Sequence, residues 1–191
     1  MVVGMPYTMF DSISASSFPA SGFDATAGYV AGTGYPSSAS IRKRFPGLPH
    51  LTIATFARLD AQCFDVEPRA GTPAECPAWF DRPGTGNVIY CMASWTSQVR
   101  AAMGNREYFL WSAHYTGRPH LCGTGCGYPA ADATQWLDHG PRGENVDQSL
   151  LSDAFYRNIG GTAPPPPPKP SIVGVGTTVT VAAAAYLASS A

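Results

Sequence analysis

Asp65 and Glu67 are the two acids of this sequence best spaced to work as a pair. They stand two residues apart in Gln62-Cys63-Phe64-Asp65-Val66-Glu67-Pro68, a β-type run stopped by proline. In a strand, residues i and i+2 face the same way, so both carboxyls project together from the strand's C-terminal end. That is the end where parallel sheets and barrels carry their chemistry. Two carboxyls in one place can divide the work of acid and base, one protonated and one ionised, as breaking a glycosidic bond requires. The same pair also reads as a rim pair that only solvates the end of a strand.

Two further acids repeat the placement. Asp11 ends the β-type run Tyr7-Thr8-Met9-Phe10, and Asp147 ends Asn145-Val146. In a closed barrel the first and last strands are neighbours, so Asp11 and Asp147 are expected on the same rim as Asp65 and Glu67.

The elements that must position these acids follow from pattern and punctuation. Strands are expected at 7–10, 27–32, 51–56, 61–67, 87–91, 108–114, 133–137 and, as a stub, 145–147. Helices are expected from Ser37 or Ser38 to Arg44, from Thr72 to Asp81, over 94–103, and over 149–156 as a closing helix. Thr72-Pro73-Ala74-Glu75 carries a cap, a proline at the first helical position and an acid in the first turn. Alternating strands and helices predict an α/β fold with parallel strands, a (β/α)8 TIM-barrel-like domain. Few residues separate the third and fourth strands, whereas a parallel crossover needs about a dozen. The barrel is therefore expected to be shortened and irregular there.

The barrel is assigned to residues 1–159, a proline-rich linker to 160–170, and an uncharged apolar tail to 171–191. The run Pro164 to Pro168 is expected to be stiff and extended. The tail is short of clearly apolar residues for a membrane span, and docking to another protein is the favoured reading. The first six residues lack the charged and apolar regions of a Sec signal peptide.

Charged residues make up 13% of the chain and the net charge is −1, which gives no basic surface for nucleic acid. No phosphate-binding loop or dinucleotide fingerprint is present, and no cofactor is expected. Nine Tyr, nine Phe and four Trp suit a cleft that stacks flat ligands such as sugars, although aromatic residues serve cores first. The five cysteines cannot all pair within one chain. His114, His120, Cys122 and Cys126 have zinc-compatible types, but their spacing matches no standard finger or ribbon. A local Cys122–Cys126 disulfide clamping the glycine-rich loop is the preferred reading, with no metal. Cys63 and Cys91 lack the helix N-terminus that would activate a thiol nucleophile.

Taken in order, Phe10-Asp11-Ser12, Asp65-Val66-Glu67, Val88-Ile89-Tyr90, Leu110-Trp111-Ser112-Ala113-His114-Tyr115, Gln135-Trp136 and Val146-Asp147 resemble the glycoside hydrolase family 25 (Chalaropsis-type) muramidases. The chain is more similar still to the glycoside-hydrolase-like domain of unknown function found in actinobacteria and their phages. The resemblance spans about Pro6 to Tyr156 and excludes the tail. It implies cleavage of the N-acetylmuramic acid to N-acetylglucosamine bond of peptidoglycan, with Glu67 as general acid/base. It assigns Asp65 to stabilising the positive charge at the anomeric carbon, or to orienting the acetamido group. Asp11 and Asp147 would raise the pKa of Glu67 and hold the acetamido group. Tyr90, Trp111, Tyr115, Gln135 and Trp136 would bind substrate. The domain is shorter than a typical muramidase of that family. A barrel that holds glycan without cutting it, as a phage minor tail or virion structural protein, is the alternative. Either reading places the protein on a virion or at the extracellular face of the cell wall. Its partners would be peptidoglycan and, through residues 171–191, phage tail proteins.

Overall fold

Along each strand every second side chain points inward, and those inward residues form the central core. They are Met9 of β1 (Tyr7–Asp11), Ala25 and Ala27 of β2 (Ala25–Tyr29), and Leu51 and Ile53 of β3 (His50–Ala54). Cys63 of β4 (Cys63–Val66), Val88 and Tyr90 of β5 (Val88–Met92), and Trp111 and Ala113 of β6 (Phe109–Ala113) continue it. Ala133 of β7 (Ala133–Leu137) and Leu151 of β8 (Asp147–Leu151) complete the ring. In this computed structural model, which describes residues 6–123, 125–140 and 143–162, the eight strands close into one barrel in sequence order. The fold is α/β and TIM-barrel-like, as expected.

Outward residues pack under the helices. Phe64, Ile89 and Leu110 meet Trp79 of α2 (Cys76–Phe80) and Val99 and Met103 of α3 (Thr96–Met103). Phe10 packs with Ile41 of α1 (Ser38–Arg44), Phe18 and Val146. The connection from β3 to β4 has no helix. It is held instead by Trp79, whose indole N–H donates to Leu59 O at 3.1 Å, and by Arg82, which donates to the carbonyls of Ala57 and Leu59. The β3–β4 ladder pairs only Ile53 with Cys63 and Ala54 with Phe64. Side chains lengthen it: Gln62 N donates to Thr52 Oγ1 at 2.9 Å, and Thr52 N donates to Gln62 Oε1 at 3.1 Å.

The strands are not all parallel. β8 runs antiparallel to both β7 and β1, whereas the other neighbouring pairs are parallel. The expected stub at 145–147 and closing helix at 149–156 are therefore corrected. The strand begins at Asp147, and the helix, α4, spans Asp153–Asn158. The nine residues 138–146 bring the chain back along β7 in the opposite direction, and β8 then pairs antiparallel with both of its neighbours. Ser152 caps α4, accepting a hydrogen bond from Phe155 N. α4 closes the end of the barrel where β1 to β7 begin. Phe155 and Ile159 join the central core, and Tyr156 stacks on Tyr7 with ring centroids 3.8 Å apart. Asn158 and Asn87 exchange two amide hydrogen bonds at 3.0 and 3.1 Å.

Among the described residues no helix is long and apolar enough to cross a membrane. The linker beyond residue 162 and the tail at 171–191 lie outside the described residues.

Candidate active site

The reversal of β8 puts its first residue, not its last, on the open rim. Asp147 pairs directly with Asp11, the last residue of β1. Asp65 lies near the end of β4, and Glu67 is the first residue beyond Val66. All four carboxyls belong to one electrostatic cluster. Burial raises the Asp11 carboxyl well above the usual carboxylate range, and the charges of Asp147, Asp65 and Glu67 push it further. Burial, then the charge of Glu67, does the same to Asp65. Burial raises Glu67. Asp147 is pushed up to about 6, by burial first and then by the charges of Asp138 and Glu67, against the hydrogen bond from Gln135. Asp11 and Asp65 are 2% and 1% exposed, whereas Glu67 is only half-buried, so Glu67 is the more reachable of the β4 pair.

Gln135 is the hub of this rim. Its amide nitrogen donates to Asp147 Oδ2 at 2.9 Å and to Asp11 Oδ2 at 3.2 Å. Its amide oxygen accepts from the hydroxyls of Tyr90, at 2.5 Å, and Tyr115, at 2.8 Å. Both donors and both acceptor sites of the amide are thus used. The amide holds two carboxyls at a fixed separation and ties them to two tyrosines. Asp65 has no such support: its Oδ1 is buried without a hydrogen-bond partner among the described residues. Such an atom is completed by a proton of its own or by a donor that arrives with a ligand.

The turn after Asp65 is set by Gly71. Gly71 N donates to Asp65 O at 2.9 Å, and Ala70 N donates to Glu67 O at 3.0 Å. A Cβ at Gly71 would lie 2.2 Å from Phe64 Cζ and 2.8 Å from Asp65 O. Neither Phe64, which is fully buried, nor a backbone carbonyl can give way freely. Gly71→Ala is therefore expected to lower the unfolding free energy by about 1–3 kcal/mol, as overpacking does. Urea-induced unfolding checks this, and an unchanged midpoint would show that the turn yields.

The aromatic residues divide differently from expectation. Tyr115 is 53% exposed beside the rim. Trp136 is half-buried at a β-bulge, where Gln135 pairs with Ser149 and Leu137 with Gln148. Bulges re-aim side chains at such rims, and the Trp136 indole nitrogen is buried without an acceptor among the described residues. Trp111, by contrast, is not a cleft residue. It is 1% exposed inside the barrel, packs edge-on to Tyr90 and donates its indole N–H to Ser149 Oγ at 3.0 Å. Its inward position on β6 places it one layer beneath the rim.

Two tyrosines escaped the sequence reading. The charges of Asp65 and Glu67 raise both Tyr29 and Tyr35, after burial, so both face the acids. Tyr35 is 43% exposed and stacks edge-on against Tyr29 at 4.9 Å. The signal that finds them is the end of the second strand, which falls at Tyr29 and not in the glycine turn beyond it.

The expected Cys122–Cys126 disulfide is not formed, and both residues are free thiols. They lie in the β6–β7 loop together with His114 and His120.

No protein-family model matches the sequence, and no curated protein matches it. Solved structures do match. The bacterial lysozyme from Streptomyces coelicolor is 18% identical, with 83% of this chain and 98% of that chain covered, at a TM-score of 0.53. A family GH25 lysozyme from Aspergillus fumigatus is 15% identical, with 83% and 100% covered, at 0.54. A glycosyl hydrolase 25 virulence factor of Streptococcus pneumoniae is 12% identical, with 80% and 89% covered, at 0.52. With its closed barrel and antiparallel last strand, this chain has the fold of the glycoside hydrolase 25 lysozymes.

Proposed function

We propose that the protein is a peptidoglycan-directed glycoside hydrolase that cleaves the N-acetylmuramic acid to N-acetylglucosamine bond. The observation that carries the proposal is the rim of four carboxyls, all raised by burial, two of which, Asp11 and Asp147, are tied by Gln135. It lies in a barrel shared with family 25 lysozymes. In the proposed reaction Glu67, half-buried and raised, gives its proton to the glycosidic oxygen. The bond from that oxygen to the anomeric carbon breaks, and its electron pair stays on the oxygen. Asp65 stabilises the positive charge left on the sugar, or aligns the acetamido oxygen to capture it. Water then adds to the anomeric carbon and returns a proton to Glu67. Asp11 and Asp147 keep the local field negative and hold the acetamido group, while Gln135, itself bonded by Tyr90, fixes the two carboxyls in place. Tyr35, Tyr115 and Trp136 offer flat or donor surfaces to the sugars.

This substrate puts the protein at the outer face of the cell wall or on a virion. Residues 171–191, uncharged and set behind the polyproline run, are the proposed contact for a phage tail protein. The exposure of Tyr35 and Tyr115 also supports a second reading, a barrel that holds glycan without cleaving it. Incubating the full chain with purified peptidoglycan separates the two. Release of new reducing ends with loss of turbidity is expected. Sedimentation with the wall and no reducing ends would replace the enzyme with the binding module, and neither result would remove peptidoglycan as the ligand.

A further inference from the structure

The β6–β7 loop gathers four metal-compatible side chains that are not part of the acid cluster. The donor atoms of His114, Cys122 and Cys126 all lie within 4.8 Å of one another. His114 Nδ1 is 3.4 Å from Cys122 Sγ, and His120 Nε2 is 2.9 Å from His114 Nδ1 and 3.9 Å from Cys122 Sγ. For zinc with two sulfur and two nitrogen ligands, bond lengths of about 2.0–2.3 Å give ligand-to-ligand edges of roughly 3.3–3.8 Å. The His114–Cys122 spacing falls in that range, with His120–Cys122 just above it and His114–His120 just below it.

The surroundings are those of a prepared site. His120 Nδ1 is 2.9 Å from Arg118 O, so that nitrogen carries the proton and Nε2 turns its lone pair toward the cluster. Gly123 N donates to Cys126 Sγ at 3.3 Å, a bond that favours thiolate. Cys122 is fixed from behind: its N–H donates to Thr134 Oγ1 on β7 at 2.7 Å, and its carbonyl accepts from Ala131 N at 2.9 Å. Tyr128 packs edge-on against His114, with centroids 5.0 Å apart.

We propose that His114, His120, Cys122 and Cys126 form a structural zinc site that fastens the β6–β7 loop. All four protein ligands are filled, which makes the role structural and not catalytic. Binding sends both thiol protons to solvent, and the proton that His114 Nδ1 turns toward His120 Nε2 moves to His114 Nε2 as Nδ1 takes the metal. Tyr115 follows His114 directly, and its hydroxyl bonds Gln135, so the metal would hold one wall of the acid rim in place.

The test is zinc stoichiometry on the full chain, with cobalt as a spectroscopic substitute. About one zinc per chain is expected. Cobalt loading is expected to give the visible bands of a tetrahedral ion together with a thiolate charge-transfer band. Cys122→Ser and Cys126→Ser should each abolish zinc retention and weaken the charge-transfer band. His120→Ala should weaken zinc retention while keeping both thiolates. Folding of each variant is followed by circular dichroism. Two outcomes overturn the proposal: a folded protein that takes up no zinc with all thiols titratable, or a chain lighter by two hydrogens with Cys122 bonded to Cys126. Unchanged retention in His120→Ala would remove His120 from the site. None of these readouts depends on glycan cleavage.

Discussion

Glu67→Gln is expected to slow glycan cleavage by about 10²–10⁴-fold, the usual contribution of a general acid. Binding to the wall should persist. Glutamine keeps the shape and the hydrogen-bonding reach of the carboxyl but has no proton to give at that oxygen. Glu67 is the half-buried member of the β4 pair, whereas Asp65 is sealed beneath it, so substrate reaches Glu67 first. Burial raises the Glu67 carboxyl, which keeps the protonated form present further toward neutral pH. Activity in the native protein should accordingly fall as pH rises through that raised pKa, because the acid form is the working one. Reducing-end release across a pH series measures both effects, and sedimentation with peptidoglycan separates catalysis from binding. Equal cleavage by the variant would remove Glu67 from the mechanism.

The second large effect is on stability, and its sign is opposite to that on activity. The folded protein raises Asp147 from 3.8 to about 6. A carboxyl raised in the folded state contributes stability that is fully present below its unfolded pKa and is lost as pH rises through the folded pKa. Above that range the native protein carries a charge it holds less well than the unfolded chain does. Asp147→Asn removes the charge, and its amide oxygen can still accept from Gln135. The variant should therefore be more stable than the native chain near pH 7, by up to about 3 kcal/mol at roughly 1.4 kcal/mol per pKa unit. The difference should vanish on acidification below about pH 4. Thermal unfolding at the two pH values checks the prediction. A loss of stability at neutral pH would mean that Asp147 is favourably paired instead. Cleavage should fall in the same variant, since sites gather groups that the fold alone would not choose.

Much of the scaffold was legible because its signals are local. The seventh strand, Ala133–Leu137, is bounded by loop residues on both sides, and its observed limits match the expected ones. The helix ending at Arg44 is stopped by Pro46-Gly47, and the missing helix between β3 and β4 follows from simple chain length. The four acids stand together on one rim, but Asp147 arrives there by an unexpected route. Direction is a non-local property: nothing in Asn145-Val146-Asp147 says whether the strand ends or begins. Trp111 was misjudged for a related reason. Depth within a barrel depends on register with neighbouring strands, and its pairing with Tyr90 sinks it below the rim. The cysteines were misjudged because sequence spacing does not reveal which way thiols face. The histidines that approach Cys122 do so only through the path of the loop.

The helix that seals the barrel has a consequence for how the molecule meets its surroundings. Tyr7 and Tyr156 stack on each other at the closed end, and the described chain enters and leaves there, at residues 6 and 162. The acids occupy the opposite mouth. A cargo, label or surface attached at either of those points is thus kept a full barrel height from the cleft, which faces outward like the working end of a tool held by its handle. Fusions at this pole should leave the mouth clear for a long polymer. Insertions into the loops beside Tyr35 or Tyr115 would stand directly in its way.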